Sequence, residues 1–332
     1  ERATSSYTVD RSMGPVLSFN TYNDIFHFLG EPTYGNIEGE QGDWEFVITK
    51  LTEDSIFVKG KKWENEMVFT RMADGVDWTS YLDSIADVQK RLGVNYSVGN
   101  SSDASKMVEI NSATRRILSR TADGQMVEQP FYVTPTGIHA VNEPVALGED
   151  KAQDFLVSKA GVMTAKDNED LTLNSYAPGI DTWVGEWTLS AMQGSCDMTI
   201  SKVEDQENML KGTFTTGGYT YNIGLSFNPE TGALNLPSQL IDDPSGRYPA
   251  LWLMNADLNQ GTLLGQGGMN VVWHGVSQEG DFEDDGTLAS EGYASDSFVA
   301  LACTTQGEPI TENGRYVFVI EWYYLSNLTP NK

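Results

Sequence analysis

Cysteine, histidine and basic residues are all scarce in this chain of 332 residues. Two cysteines, Cys196 and Cys303, are too few for a thiolate zinc cage or a disulfide-dense scaffold. They leave open either one bridge closing a long loop or two small buried hydrophobes. The three histidines, His27, His139 and His274, lie too far apart for an H-E-x-x-H or H-x-H zinc pattern. No G-x-S-x-G elbow and no P-loop occurs. Gly265-Gln266-Gly267-Gly268 lacks the third glycine of a dinucleotide fingerprint and leads into a strand, so it reads as a loop. Lys and Arg number 21 against 47 Asp and Glu, a net charge of −26. Such a surface repels phosphates and anionic headgroups, which argues against nucleic acid and against a charge-driven membrane contact. No run approaches the ~18 apolar residues of a membrane-spanning helix. Glu1 is not an initiator methionine and no apolar leader follows it, so the chain reads as a trimmed form.

What is present is enough apolar material for folded cores, 39% of the residues, over a length that suggests two domains. The dominant pattern is short strands with period two. Tyr219, Tyr221, Ile223, Leu225 and Phe227 alternate with Thr220, Asn222, Gly224 and Ser226, which describes a strand with one buried face. Asn228-Pro229-Glu230-Thr231-Gly232 is a turn by composition. Further strands are expected at Trp183–Ala191, Met198–Val203, Met209–Thr215, Ala250–Met254, Met269–Trp273 and Phe298–Cys303. Tyr316–Leu325 is apolar on both faces, as in a barrel wall covered on its outer side. The tract 94–175 is mixed, with extended stretches at Arg115–Ser119, Phe131–Thr134 and Ile138–Val145. Strands every ~8–12 residues with Gly, Asn and Asp between them point to barrels or sandwiches.

One amphipathic helix is expected over 77–92: Tyr81, Ile85, Val88 and Leu92 share a face. Asp77 is its N-cap, Lys90 and Arg91 fill the last turn, and Gly93 is placed to end it in the left-handed conformation. Residues 46–60 and 198–212 align at a constant offset, with Ile48 matching Ile200, Lys50 matching Lys202, and Lys59-Gly60 matching Lys211-Gly212. Shared apolar parity suggests two copies of one hairpin in two related barrels. The expected fold is therefore mainly β, with two lipocalin-like antiparallel β-barrel domains. Residues 1–175 form the first, lacking its first strands and carrying the helix. Residues 180–328 form the second.

Candidate chemistry is sparse. Trp183, Trp252 and Trp273 are candidate ligand-binding platforms, because aromatic faces stack on sugar rings or peptide side chains at a barrel mouth. Asp281, Glu283 and Asp285 form a candidate calcium site in a stretch that imitates a calcium loop, but Gly292 replaces the required twelfth-position Glu. No cofactor is implied. With so many carboxylates, a hydrolase using an acidic pair remains an alternative that only spatial separation would identify.

Gly-Pro-Val-Leu-Ser-Phe-Asn-Thr-Tyr-Asn at 14–23, His27, Gly-Asp-Trp-Glu-Phe at 42–46 and Val-Lys-Gly-Lys-Lys at 58–62 carry a likeness. Over roughly residues 5–150 the chain resembles a family of Bacteroidota lipoproteins of unknown function. The resemblance implies export, a lipid anchor on the outer membrane at the cell surface, and association with Sus-type nutrient-uptake loci. It implies no catalytic residues. The expected partners are a TonB-dependent transporter and its lipoprotein lid, with a peptide or glycan as ligand. The expected function is that of a non-catalytic accessory lipoprotein. A secreted hydrolase, acid-paired or calcium-assisted, and a purely structural interaction scaffold are the alternatives.

Overall fold

Alternating apolar and polar residues become antiparallel strands along most of the chain. The computed structural model describes residues 4–11, 14–32 and 37–331. The chain divides into two units between Tyr81 and Leu82.

The first unit holds a five-stranded sheet in chain order: Tyr7–Asp10, Val16–Phe19, Glu45–Leu51, Ser55–Gly60 and Glu66–Thr70. Val16, Phe46 and Val58 are buried, and Phe46 meets Phe19, Phe26 and Phe69 edge-on. The motifs at 42–46 and 58–62 come together here. The Asp43 carboxylate accepts the Lys62 N–H at 2.8 Å and the Trp63 N–H at 3.2 Å, closing the turn after Gly60. A Cβ on Gly60 would lie 1.9 Å from Asp43 Oδ2, so only glycine fits. His27 accepts the Asn23 N–H through Nδ1 and stacks on Trp44.

The sheet corrects the repeat. Residues 46–60 and 198–212 are both hairpins, but only the second belongs to a barrel. Phe46 pairs with Gly60 in the first, whereas Ile200 pairs with Gly212 in the second. The first also carries a bulge between Ile48 and Lys50. Ile200 is buried and Ile48 is only half-buried. Connections of different length, residues 52–54 and 203–208, set different registers, so equal apolar parity did not mean equal pairing.

The boundary between the units falls within a helix. Helix α1, Trp78–Arg91, begins at Asp77, whose carboxylate accepts the Thr79 and Ser80 N–H groups. Ile85, Val88 and Leu92 pack on an apolar core. Gly93 does not take the left-handed conformation. Its N–H instead donates to the Tyr96 hydroxyl at 2.8 Å.

That core fills a closed eight-stranded barrel. Its strands are Asn95–Val98, Met107–Asn111, Arg116–Arg120, Met126–Thr134, Gly137–Ala140, Asp154–Val157, Met163–Ala165 and Asn168–Ser175. The last pairs with the first, Leu173 opposite Val98 and Ser175 opposite Tyr96. The barrel closes within residues 95–175, and the sheet of the first unit supplies none of its strands. A small hairpin, Val145–Leu147 with Asp150–Ala152, is inserted in this meander.

A second closed barrel has the same up-and-down order. It comprises Gly185–Ala191, Gly194–Lys202, Met209–Thr216, Tyr219–Phe227, Leu234–Pro237, Gly268–His274, Glu279–Asp284 and Asn327–Pro330. Leu189, Met198, Ile223, Leu225 and Val271 point inward, while Thr188, Thr199 and Thr213 make hydrogen bonds outside. Apolar-in and polar-out is the inverse of a membrane-spanning barrel. A further five-stranded sheet is inserted, formed by Gln239–Ile241, Ala250–Asp257, Thr262–Leu264, Ser297–Cys303 and Phe318–Trp322. Tyr316–Leu325 was expected in a barrel wall. It breaks after Tyr316, and Phe318–Trp322 ends this sheet with Phe318 exposed. No helix among the described residues is long and apolar enough to cross a membrane.

Candidate functional site

The interior of the second barrel is the first place to look for a ligand. Leu189, Met198, Ile223, Leu236, Val271 and Phe282 fill it, leaving about 10 Å³. That is room for one water at most. Two of the three candidate platforms are part of this filling. Trp183 is fully buried and donates through Nε1 to the Gly232 carbonyl at 2.8 Å. Trp273 is 5% exposed, with its ring 5.4 Å from that of Trp183. Both are therefore core residues rather than sugar platforms. Gly232 takes φ +72° in the expected turn, with Pro178 against it, which places its carbonyl over Trp183. Trp252 lies elsewhere, half-buried on the inserted sheet against Met254, Val299 and Leu301.

A larger cavity lies outside, between the walls of the two barrels, with a volume of about 650 Å³. It follows from strand alternation. On the first barrel, Glu109 stands opposite Leu118, and Leu118 opposite Glu128, which lines them up across three strands. On the second barrel, Glu279, Asp281 and Glu283 alternate on the strand Glu279–Asp284, with Gly280 and Phe282 between them. The facing rows form a cleft lined by five carboxylates, Glu109, Glu128, Glu279, Asp281 and Glu283, against the cations Arg116 and His274. Leu92, Val94, Leu118 and Met126 supply its apolar surface.

A peg closes the deep end. Residues 275–278 connect Gly268–His274 to Glu279–Asp284 and dock on the first barrel. Asn95 donates to the Trp273 carbonyl at 2.6 Å and accepts the Gly275 N–H at 2.9 Å. Glu109 Oε1 accepts the Val276 and Ser277 N–H groups at 2.5 and 3.0 Å. Arg120 donates to the Val276 carbonyl. Val276 is fully buried. A Cβ on Gly275 would lie 2.6 Å from Met107 Sδ, so the close approach favours glycine.

His274 sits between the two walls. Its Nδ1 is 3.2 Å from Glu109 Oε2, and its Nε2 is 3.3 Å from Asp281 Oδ2. Among the described residues Nε2 has no partner in full hydrogen-bond geometry, and its polar contact is the Asp281 carboxylate at 3.3 Å. Asp281 first and Glu109 second push the imidazole up to about 10, against the opposing effect of burial. The ring is therefore a cation at neutral pH, held between carboxylates from both barrels.

The calcium candidates separate. Asp281 faces His274, Glu283 is exposed on the cleft wall, and Asp285 lies past the strand end, where it accepts the Thr287 N–H at 2.9 Å. The stretch is mostly strand rather than loop. Among the described residues no group of three or more His, Cys, Asp or Glu is arranged to hold a metal ion. Cys196 and Cys303 are free thiols, which decides the alternative left open by their number. Burial pushes the Cys196 thiol up to about 11.

Sequence reasoning did not find Glu109, Asn95 or the role of His274. The one local signal was an acid inside the apolar stretch Met107-Val108-Glu109-Ile110, where a strand turns every second residue outward. Its partner lies 165 residues away.

Residues 1–159 match the family model of a domain of unknown function, DUF4302. The match ends between two strands of the first barrel, so the second barrel lies outside it. No match was found among curated proteins or among solved structures.

Proposed function

We propose that this protein is a non-catalytic lipoprotein of the outer-membrane surface, accessory to a TonB-dependent nutrient-uptake complex. It docks on the transporter and its lipoprotein lid, or presents a peptide or glycan to them, through the outer walls of its domains. The observation that carries this reading is the filled second barrel, whose interior leaves about 10 Å³. A barrel packed in this way cannot sequester a nutrient, so recognition falls to its exterior. Glu109 supports the non-catalytic part. Its oxygens accept two backbone N–H groups and face His274, an arrangement that holds a seam rather than moving a proton. The lipoprotein and transporter assignments rest on the resemblance carried by residues 14–23, 42–46 and 58–62.

The test is affinity purification of the full-length, lipid-anchored protein from its own outer membrane, followed by identification of what is retained. Co-purification of a TonB-dependent transporter, or retention of a peptide or glycan, is the expected result. Recovery of the protein alone, with neither partner nor ligand, overturns the proposal.

A further inference from the structure

We infer that the cleft between the two barrels is a groove for a basic peptide segment, one that carries lysine or arginine side chains on an otherwise uncharged chain. This rests on the reading of the protein as a binding protein and names the chemistry that one of its surfaces recognises.

Three observations converge. The cleft has about 650 Å³, within the size range of ligand sites, and it opens to solvent. Its charge is net negative, five carboxylates against Arg116 and His274, and the acids are not all used internally. Glu109 is consumed by the peg and Asp281 leans on His274, whereas Glu128, Glu279 and Glu283 form no ion pair among the described residues. Apolar side chains share the lining, and Leu118 stands between Glu109 and Glu128. Val94 is 44% exposed and Met126 is 55% exposed, both on the first-barrel side. Lysine and arginine combine a methylene stem with a charged head, so the stem covers apolar surface while the head reaches a carboxylate. His274 already occupies the deep end as a cation between carboxylates of both walls. A basic side chain entering from the open end would extend that alternation of charge. A neutral glycan can donate its hydroxyls to these carboxylates but brings no positive charge to offset them, and an acidic peptide is repelled.

The experiment is titration calorimetry of the full chain with a short synthetic peptide of alternating lysine and serine. An acidic peptide of alternating glutamate and serine and a neutral oligosaccharide serve as comparisons. Saturable, salt-sensitive binding of the basic peptide is expected. Glu128→Gln/Glu283→Gln should weaken it about tenfold or more, the size expected from losing charge-assisted contacts. Both residues are exposed, so the double variant keeps the fold. With a net charge of −26, any basic peptide will be attracted weakly, so the control is Glu149→Gln/Glu169→Gln, exposed carboxylates outside the cleft. Equal weakening by the control pair overturns the inference, as does failure of the basic peptide to saturate. Retention of the oligosaccharide or the transporter, unchanged in Glu128→Gln/Glu283→Gln, overturns the groove while leaving the accessory role standing.

Discussion

Glu109, on the outer wall of the first barrel, accepts the N–H of Val276 in the second barrel at 2.5 Å. The same carboxylate also accepts the Ser277 N–H and faces His274, so one side chain satisfies three groups of a hairpin far away in sequence. Removing it leaves a buried Val276 N–H and a part-buried Ser277 N–H without their acceptor, and leaves His274 with Asp281 alone. Glu109→Ala should cost about 3 kcal/mol, and Glu109→Gln, which keeps one carbonyl acceptor, about half as much. Urea unfolding checks this. An unchanged midpoint in Glu109→Ala would show that the seam contributes nothing to stability.

The His274 imidazole is held up to about 10, above its ordinary 6.5, by Asp281 and then Glu109. The native state thus binds this proton more tightly than the unfolded chain. The resulting stabilisation is complete below about pH 6.5 and is lost as pH rises through about 10. The urea midpoint should fall across that window in the natural sequence and stay flatter in His274→Asn. Imidazole resonances in an NMR titration give the direct reading, and a midpoint at the free-histidine value would refute it.

Trp183 is enclosed by Trp187 and Trp273 and anchors the turn at Gly232. Trp183→Ala should cost about 3–5 kcal/mol, as expected for emptying a large buried site. Denaturant unfolding measures the loss. A surface binding platform at this position would instead lose affinity with stability intact.

Gly60 lies against the Asp43 carboxylate, which closes the turn at Lys62 and Trp63. Gly60→Ala should displace that carboxylate, at a cost of about 1–3 kcal/mol through the lost acceptor. Amide exchange at Lys62 and Trp63 should quicken while the barrels of the second unit keep their protection. Unchanged exchange at both amides would count against the role given to Asp43.

Cys303 is fully buried, Cys196 is partly so, and the two are not bonded to each other. Dithiothreitol should therefore leave the thermal midpoint unchanged, and a thiol reagent should reach Cys303 only on unfolding. A marked drop in the midpoint under reduction would mean that a bridge forms after all.

How far the sequence could be read depended on how local each pattern was. The strand Tyr219–Phe227, the turn that follows it and the N-cap at Asp77 all follow from neighbours within a few residues, and each was legible. The first barrel was much less so. Strands as short as Met163–Ala165 carry too few residues to display a period. The hairpin match between 46–60 and 198–212 misled because any half-buried hairpin shows the same parity, whichever sheet it joins. The tryptophans misled for a related reason: composition counts aromatic rings, but only packing separates a platform from a core.

The chain's own residue order settled the β class, the helix at Trp78–Arg91 and the strongly negative charge, because these depend on short-range periodicity and on composition. Folding in three dimensions decided the rest. It determined which strands close into which barrel, since closure pairs residues such as Tyr96 and Ser175 that no local pattern relates. It also brought Glu109 to His274, turning an unremarked acid and a solitary histidine into a seam beside a carboxylate-lined groove.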